Sequence, residues 1–146
     1  MQTTILTILN FQFKSTSLKV RYCETDQMGF VHHSNYLKYF EVARLEWLTE
    51  LGISYKNMEE NGILLPVIYS EIKYLYPLKF DDFFIVKVGL DQIPRSKLIL
   101  NYKIENNENK EVCLGNIHLA FLNSQNHKPT RAPEKFIFEF KKKYQL

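Results

Sequence analysis

The residues that could carry chemistry are concentrated in one stretch, residues 22–36, which reads Y-C-E-T-D-Q-M-G-F-V-H-H-S-N-Y. Asp26 lies just before a glycine, Gly29, and two histidines, His32 and His33, lie just before an apolar helical pattern. A carboxylate that faces the start of a helix can attack an electrophilic carbon or activate water, while free helix N–H groups stabilise an oxyanion. This arrangement favours hydrolytic chemistry.

Other interpretations of the same stretch stay open. Asp26 could simply cap a turn, as acids before glycines often do. The adjacent histidines have no third ligand at a recognisable spacing, so no metal site is predicted. Cys23 is a weak candidate for a nucleophile, because strand alternation puts it on the opposite face from Tyr22 and Glu24 and nothing nearby obviously activates it.

A strand and a helix are predicted to position this stretch. Residues 18–24 alternate as a strand does. One face of that strand would carry Leu18, Val20 and Tyr22. The chain then turns at Gly29, and Ser34 or Asn35 can cap the helix that follows.

The helix has an apolar stripe at helical spacing and ends at Gly52, which suits the C′ position. Two acids on it, Glu41 and Glu46, could act as bases, but a solvated face or an ion pair with Arg44 explains them better. The stripe consists of Tyr36, Phe40, Ala43, Trp47 and Leu51, widened by Leu37 and Leu48.

The rest of the chain is rich in β-branched and aromatic residues, which favour strands. Strands are predicted at residues 67–76, 83–89, 98–104 and 112–122, with a polar turn at 106–110. A final helix over residues 134–144 ends in lysines, which suit the negative end of a helix dipole. Because the first helix is more apolar than a surface helix needs, an antiparallel sheet wrapped around it is predicted, an α+β fold.

Composition excludes several classes of protein. The chain has 146 residues, a net charge of +3 and two cysteines. It fits one domain over residues 1–146, with residues 1–13 as a candidate N-terminal extension, of which residues 5–13 could be an extra strand or a loosely attached arm. The charge is too mild to indicate nucleic acid, no run could span a membrane, and no signal peptide is recognisable. A cytoplasmic location is therefore expected.

Four segments carry a resemblance to a known family. They are V-R-Y-C-E-T-D-Q-M-G-F-V-H-H-S-N-Y at 20–36, Y-F-E-V-A-R-L-E-W-L at 39–48, L-P-V-I-Y-S-E-I-K-Y-L-Y-P-L-K-F-D-D at 65–82 and R-A-P at 131–133. Over roughly residues 16–135 the chain resembles the hot-dog-fold acyl-CoA thioesterases of the 4-hydroxybenzoyl-CoA thioesterase type, close to the YbgC/FadM-like branch. It departs at Met28, where the family usually has a small residue, and at Asp81-Asp82, where it often has Gly-Asp.

The resemblance implies a hot-dog fold and hydrolysis of an acyl- or aryl-CoA thioester. It implies that Asp26 is the nucleophile or the general base, that the backbone N–H of His33 polarises the thioester carbonyl, and that Tyr22 shapes the pocket. Gly29 is expected to contact the substrate. Arg95, Ser96 and Lys97 are expected to contact the CoA moiety, although an ordinary charged loop explains them equally well.

No cofactor is expected, because CoA is part of the substrate. Two other functions remain in view: a hot-dog hydratase or dehydratase, and a non-catalytic acyl-CoA-binding protein. The first normally has a histidine and an acid at a different spacing, and the second usually adds a DNA-binding segment. A dimer, assembled further into a tetramer, is predicted, because a lone sheet of this kind leaves edges and an apolar face exposed.

Overall fold

The computed structural model describes residues 11–146. The strands are β1 Phe13–Lys14, β2 Leu18–Lys19, β3 Ile63–Leu64, β4 Val67–Tyr74, β5 Phe83–Gly89, β6 Lys97–Asn106, β7 Glu111–Ala120 and β8 Leu122–Asn123. The helices are α1 Asn35–Glu50, α2 Tyr55–Glu60 and α3 Glu134–Tyr144, with a 3-10 helix at Tyr22–Glu24. The predicted N-terminal extension falls largely on residues 1–10, which lie outside the described residues.

One antiparallel sheet wraps around α1, so the predicted α+β architecture is confirmed. Its strand order is β1-β5-β6-β7-β4, with β2 also pairing with β5, while β3 and β8 form a separate two-stranded pair. The β6–β7 hairpin aligns Lys97 with Ala120 and Ile104 with Cys113. Strand β4 pairs with β7 and forms one edge of the sheet.

Helix α1 buries its apolar stripe against the inner face of the sheet. All five predicted stripe residues and Leu48 are buried, but Leu37 is 43% exposed, so the predicted stripe is too wide on that side. The sheet approaches the helix most closely at Gly115, where an added Cβ would lie 2.5 Å from the Phe40 ring. Gly52 follows the helix with φ +81°, as a C′ glycine does.

The interior of the sheet follows the alternation of its strands. In β6 the buried side chains are Leu98, Leu100, Tyr102 and Ile104. Helix α3 closes the end of the core near Trp47, whose indole N–H donates to the Tyr144 hydroxyl at 2.8 Å. The predicted bounds of α3 and of β5 are confirmed.

The predicted strand over residues 18–24 is wrong beyond Lys19. The Glu24 carboxylate accepts the Arg21 N–H at 2.8 Å, which curls the backbone into a 3-10 turn. Tyr22 is consequently 76% exposed while Glu24 is 6% exposed, so these two side chains do not share a face. The short helix α2 was not predicted from the sequence.

The interpretation of the helix acids is confirmed for Glu41, which lies 3.8 Å from the guanidinium of Arg44. Glu46 instead accepts from the N–H and hydroxyl of Thr16, at 3.2 and 2.6 Å. Both cysteines of the chain, Cys23 and Cys113, are free thiols. Within residues 11–146, no helix has the length and apolar character needed to cross a membrane.

Candidate functional site

Residues 24–32 form a tight loop that returns the chain to the start of α1. The N–H of Asp26 donates to the carbonyl of Phe30 at 2.7 Å, and the N–H of Gly29 donates back to the carbonyl of Asp26 at 2.9 Å. Gly29 has φ +83°, and an added Cβ would meet nothing within 4 Å. The glycine is therefore required by the backbone conformation of the turn rather than by lack of space.

The two oxygens of the Asp26 carboxylate have different surroundings. Oδ1 accepts the N–H of Met28 at 2.9 Å and that of Phe30 at 3.3 Å, so the turn-capping interpretation is correct for this oxygen. Oδ2 accepts from no donor among residues 11–146. The side chain is half-buried. One oxygen thus fixes the orientation of the carboxylate and leaves the other open to a reacting group.

The chain enters helix α1 through His32 and His33, whose exposed rings are stacked with centroids 4.1 Å apart. Ser34 occupies the N-cap position, but its side chain does not cap the helix; its hydroxyl lies 2.8 Å from Nδ1 of His32. The amide of Asn35 donates to the carbonyl of Glu24 instead. The predicted capping role of these two side chains is therefore wrong.

The backbone N–H of His33 donates to no acceptor among the described residues. It lies just outside the N-terminus of a helix of 16 residues, where the aligned peptide dipoles give a partial positive charge. Of the two carboxylates on the preceding loop, that of Glu24 is buried and that of Asp26 is half-buried. Within the described part of the chain, no group of three His, Cys, Asp or Glu side chains could hold a metal ion.

Two tyrosines pack beside the start of the helix. Tyr36 is buried in the first turn of α1, and this burial is the main cause that raises its pKa to about 12, so Tyr36 is neutral. The hydroxyl of Tyr74, on β4, donates to the carbonyl of His33 at 3.4 Å, and its ring lies 5.3 Å from that of Tyr36. Tyr74 was not singled out from the sequence, because only the fold brings β4 to this loop.

An exposed apolar surface surrounds the Asp26 turn. The ring of Tyr22 meets that of Phe80 edge to face at 5.5 Å, and Met28 is 74% exposed. Monomeric proteins seldom leave such groups together in water without a ligand or a partner. Of the predicted site residues, Asp26 and Gly29 lie in this loop, Tyr22 lies in the 3-10 turn before it, and His33 lies between the loop and helix α1.

Arg95, Ser96 and Lys97 are exposed at a different end of the sheet. The carbonyl of Arg95 accepts the N–H of Ala132 at 2.6 Å, which places Arg131 beside them. The three cationic side chains here are those of Arg95, Lys97 and Arg131. None of them has a carboxylate within 4 Å among residues 11–146. Arg131 belongs to the R-A-P segment, but its position next to residue 95 depends on tertiary structure.

The Asp26 loop and this basic end lie far apart within one chain. The basic end lies beside Val67, since Lys97 pairs with Ala120, whose N–H donates to the carbonyl of Pro66. Tyr74, which contacts the site loop, lies at the other end of β4. Val67 and Tyr74 are seven positions apart along the strand, a distance of roughly 23 Å at the rise of an extended strand.

Comparisons with known proteins agree with the predicted family. A model of the thioesterase-like superfamily matches residues 20–139. The putative acyl-CoA thioesterase YneP of Bacillus subtilis is 39% identical over 89 residues, which are 61% of this chain and 64% of that protein. The acyl-CoA thioester hydrolase YbgC of Escherichia coli O157:H7 is 24% identical over 124 residues, 85% of this chain and 92% of that protein. The chain thus spans a little under two thirds of YneP.

A solved structure has the same fold over nearly the whole chain. The DHNA-CoA thioesterase of Staphylococcus aureus superposes with a TM-score of 0.84 at 31% identity, covering 91% of this chain and 92% of that one. The hypothetical protein TT1821 of Thermus thermophilus gives 0.79 at 31% identity, covering 85% and 94%. The predicted hot-dog fold is confirmed, and the chain belongs to the thioesterase-like superfamily.

Proposed function

We propose that the protein hydrolyses an acyl- or aryl-CoA thioester to a free acid and CoA, with no cofactor. One observation carries the proposal: Oδ1 of Asp26 is held by two N–H donors while Oδ2 is open, in a loop that leads into a helix start where the His33 N–H has no acceptor among the described residues. The names of the relatives YneP and YbgC and of the S. aureus DHNA-CoA thioesterase support the same reaction.

The His33 N–H would stabilise the negative charge that develops on the thioester oxygen. Two routes then fit the Asp26 carboxylate. In one, Oδ2 attacks the carbonyl carbon, the C–S bond breaks, the CoA thiolate leaves, and water hydrolyses the resulting anhydride. In the other, Oδ2 takes a proton from water, and the hydroxide attacks the carbon while the thiolate leaves. Tyr22 and Met28 would line the acyl group.

We infer that Arg95, Ser96, Lys97 and Arg131 bind the phosphates of CoA. Three cations without carboxylate partners at one end of a sheet suit a ligand that carries several phosphates. The patch and the Asp26 loop of one chain are separated by roughly 23 Å along β4. This distance argues against one chain binding a compact CoA thioester with both. A second copy removes the difficulty.

We propose a dimer in which the β4 edges of two copies pair antiparallel, as the basis of any tetramer. The edge exposes Val67, Ile68, Tyr69 and Tyr74. Such an edge readily pairs with another strand. Two-fold pairing sets the start of one β4 against the end of the other, which brings the basic end of one copy towards the Asp26 loop of its partner.

A mixing experiment tests the shared site. One preparation carries Asp26→Asn and the other carries both Arg95→Ala and Lys97→Ala. If the site is shared, half of the dimers in an equal mixture are hybrids, and each hybrid has one intact site of two. About a quarter of the wild-type activity at low substrate concentration is therefore expected. No restoration after subunit exchange, or a monomeric mass in light scattering with activity intact, contradicts the shared site.

The reaction itself is tested with a panel of CoA thioesters. Wild-type protein is assayed for thiol release from short and long aliphatic, benzoyl and dihydroxynaphthoyl thioesters. Turnover of at least one of them is expected. Hydration of an enoyl-CoA without thiol release would identify a hydratase, and tight binding without turnover would identify a binding protein; either result contradicts the proposal.

The proposal takes residues 1–146 as one domain, in keeping with the single core cluster of the described residues. We place the reaction in the cytoplasm. Two unpaired thiols, one of them exposed at Cys23, fit a reducing compartment better than an oxidising one.

A further inference from the structure

Glu24 is a buried carboxylate that the proposed reaction does not use. It is 6% exposed, although it lies two residues before Asp26 on the surface loop. Its Oε1 accepts the N–H of Arg21 at 2.8 Å and the hydroxyl of Tyr39 at 3.0 Å. Its Oε2 accepts from Nε and Nη2 of Arg21 at 3.3 and 3.2 Å. Burying a carboxylate is costly unless it is satisfied in this way.

The backbone carbonyl of Glu24 makes two further contacts. It accepts the N–H of His32 and the side-chain amide of Asn35, both at 2.8 Å. The His32 bond closes the base of the Asp26 loop immediately before His33. The Asn35 bond ties the same peptide to the first residue of α1, and Asn35 is itself buried.

One residue therefore fixes both halves of the candidate site. The hydrogen bond from the Tyr39 hydroxyl fixes the Glu24 side chain against the second turn of the helix. The backbone carbonyl of Glu24 fixes His32, the residue before His33. We propose that Glu24 is a positioning residue that sets the separation between the Asp26 carboxylate and the His33 N–H, an inference that rests on the proposed function for its catalytic meaning.

A purely structural role makes a different prediction. A residue that only stabilises the fold changes the folded fraction, so below the melting temperature kcat per folded molecule is unaffected. A residue that sets the geometry of Asp26 changes kcat while the contacts with CoA, and hence KM, stay the same.

The first experiment measures geometry and needs no activity. Glu24→Gln keeps the size of the side chain, but its NH2 group faces the Arg21 guanidinium and cannot accept from it. Crystal structures of wild type and variant give the distance from Cγ of Asp26 to N of His33. A change of about 0.5 Å or more is expected, the scale to which catalytic geometry is sensitive. An unchanged distance overturns the inference, whatever the protein's activity.

The second experiment measures epistasis. Glu24→Gln is expected to lower kcat by about tenfold with KM within about twofold of wild type, because misplacement by about 1 Å costs up to about a hundredfold. In the Asp26→Asn background the same change should cause no further loss, since the group being positioned is gone. Equal losses in both backgrounds overturn the inference.

Two further variants keep the test decisive. Tyr39→Phe removes the hydroxyl donor and keeps the ring, so it serves if Glu24→Gln does not fold. Ser15→Ala is the matched control: Ser15 is buried, and its hydroxyl accepts the Val86 N–H at 2.9 Å and donates to the carbonyl of Thr16, neither of which is a loop residue. It should lower the melting temperature without changing kcat. If wild type releases no thiol, the proposed function fails, and the crystallographic distance alone decides the role of Glu24.

Discussion

Asp26→Asn is the substitution that most directly tests the proposed chemistry. The amide has the size of the carboxylate but can neither attack well nor take a proton. The N–H groups of Met28 and Phe30 both donate to Oδ1, and they fix the orientation of the amide. The amide oxygen occupies the position of Oδ1, and the NH2 group occupies the position of the open Oδ2. The variant therefore presents an N–H donor to the substrate where the wild type presents a carboxylate oxygen.

The expected loss follows from this geometry. Removal of a general base or nucleophile at this position should lower kcat by at least ~10²-fold. That factor corresponds to about 2.7 kcal/mol of barrier. Folding stability should change little, since the oxygen that accepts both N–H groups is retained. Asp26→Ala should lose activity equally, and should also destabilise the fold by about 1–2 kcal/mol through two lost hydrogen bonds.

The assay is steady-state thiol release with a trapping dye, on variants whose folding is checked by circular dichroism. Because Cys23 is exposed and reacts with such dyes, protein blanks or a Cys23→Ser background are required. His33→Ala is the informative contrast. Alanine still supplies the backbone N–H, so the loss should stay within roughly tenfold, or about 1.4 kcal/mol.

Either of two results would contradict the roles assigned to Asp26 and His33. If Asp26→Asn retains most of its activity, the open oxygen is not the reacting group, and Glu41 becomes the next candidate. If His33→Ala loses as much activity as Asp26→Asn, the imidazole takes part and the backbone-only role of His33 is wrong.

Three further predictions concern the CoA patch, the packing and the thiols. Replacing both Arg95 and Lys97 with Ala should raise KM for CoA thioesters and change KM much less for a short thioester that lacks the nucleotide; equal changes would exclude phosphate contacts. Gly115→Ala should lower the free energy of unfolding by about 1–3 kcal/mol in chemical denaturation, because its Cβ would overlap the Phe40 ring, and Phe40→Leu should partly rescue it. Burial raises the pKa of Cys113 to about 12, so a thiol reagent at pH 8 should modify one cysteine per native chain and two after unfolding; two in the native state would contradict the burial.

Local patterns in the sequence were enough to predict most of the helices and strands. The apolar stripe of α1 had to be covered, and the runs of β-branched and aromatic residues supplied the strands that cover it. The bounds of α3 and β5 were predictable because proline, glycine and charged residues mark their ends. The short helix α2 was missed, since six residues give too little periodicity to recognise.

The candidate site was only partly readable. The spacing of Asp26, Gly29 and His33 indicated a turn before a helix, because that relation is local. Oδ2 of Asp26 and the N–H of His33 have no hydrogen-bond partner among the described residues. This depends on which partners the neighbouring donors and acceptors find in the fold. No pattern in the sequence shows that Ser34 bonds to His32 and that Asn35 bonds to Glu24.

Residue type and short-range spacing were enough to predict the α+β class and the acid before the helix, and the four quoted segments carried the resemblance to the family. The fold was needed to show that Glu24 bonds to Asn35 and Tyr39 of the helix. It was also needed to bring Tyr74 to the Asp26 loop and Arg131 next to Arg95. These contacts join residues between 11 and 41 positions apart in the sequence. Their formation depends on how the whole sheet closes around the helix rather than on any local preference.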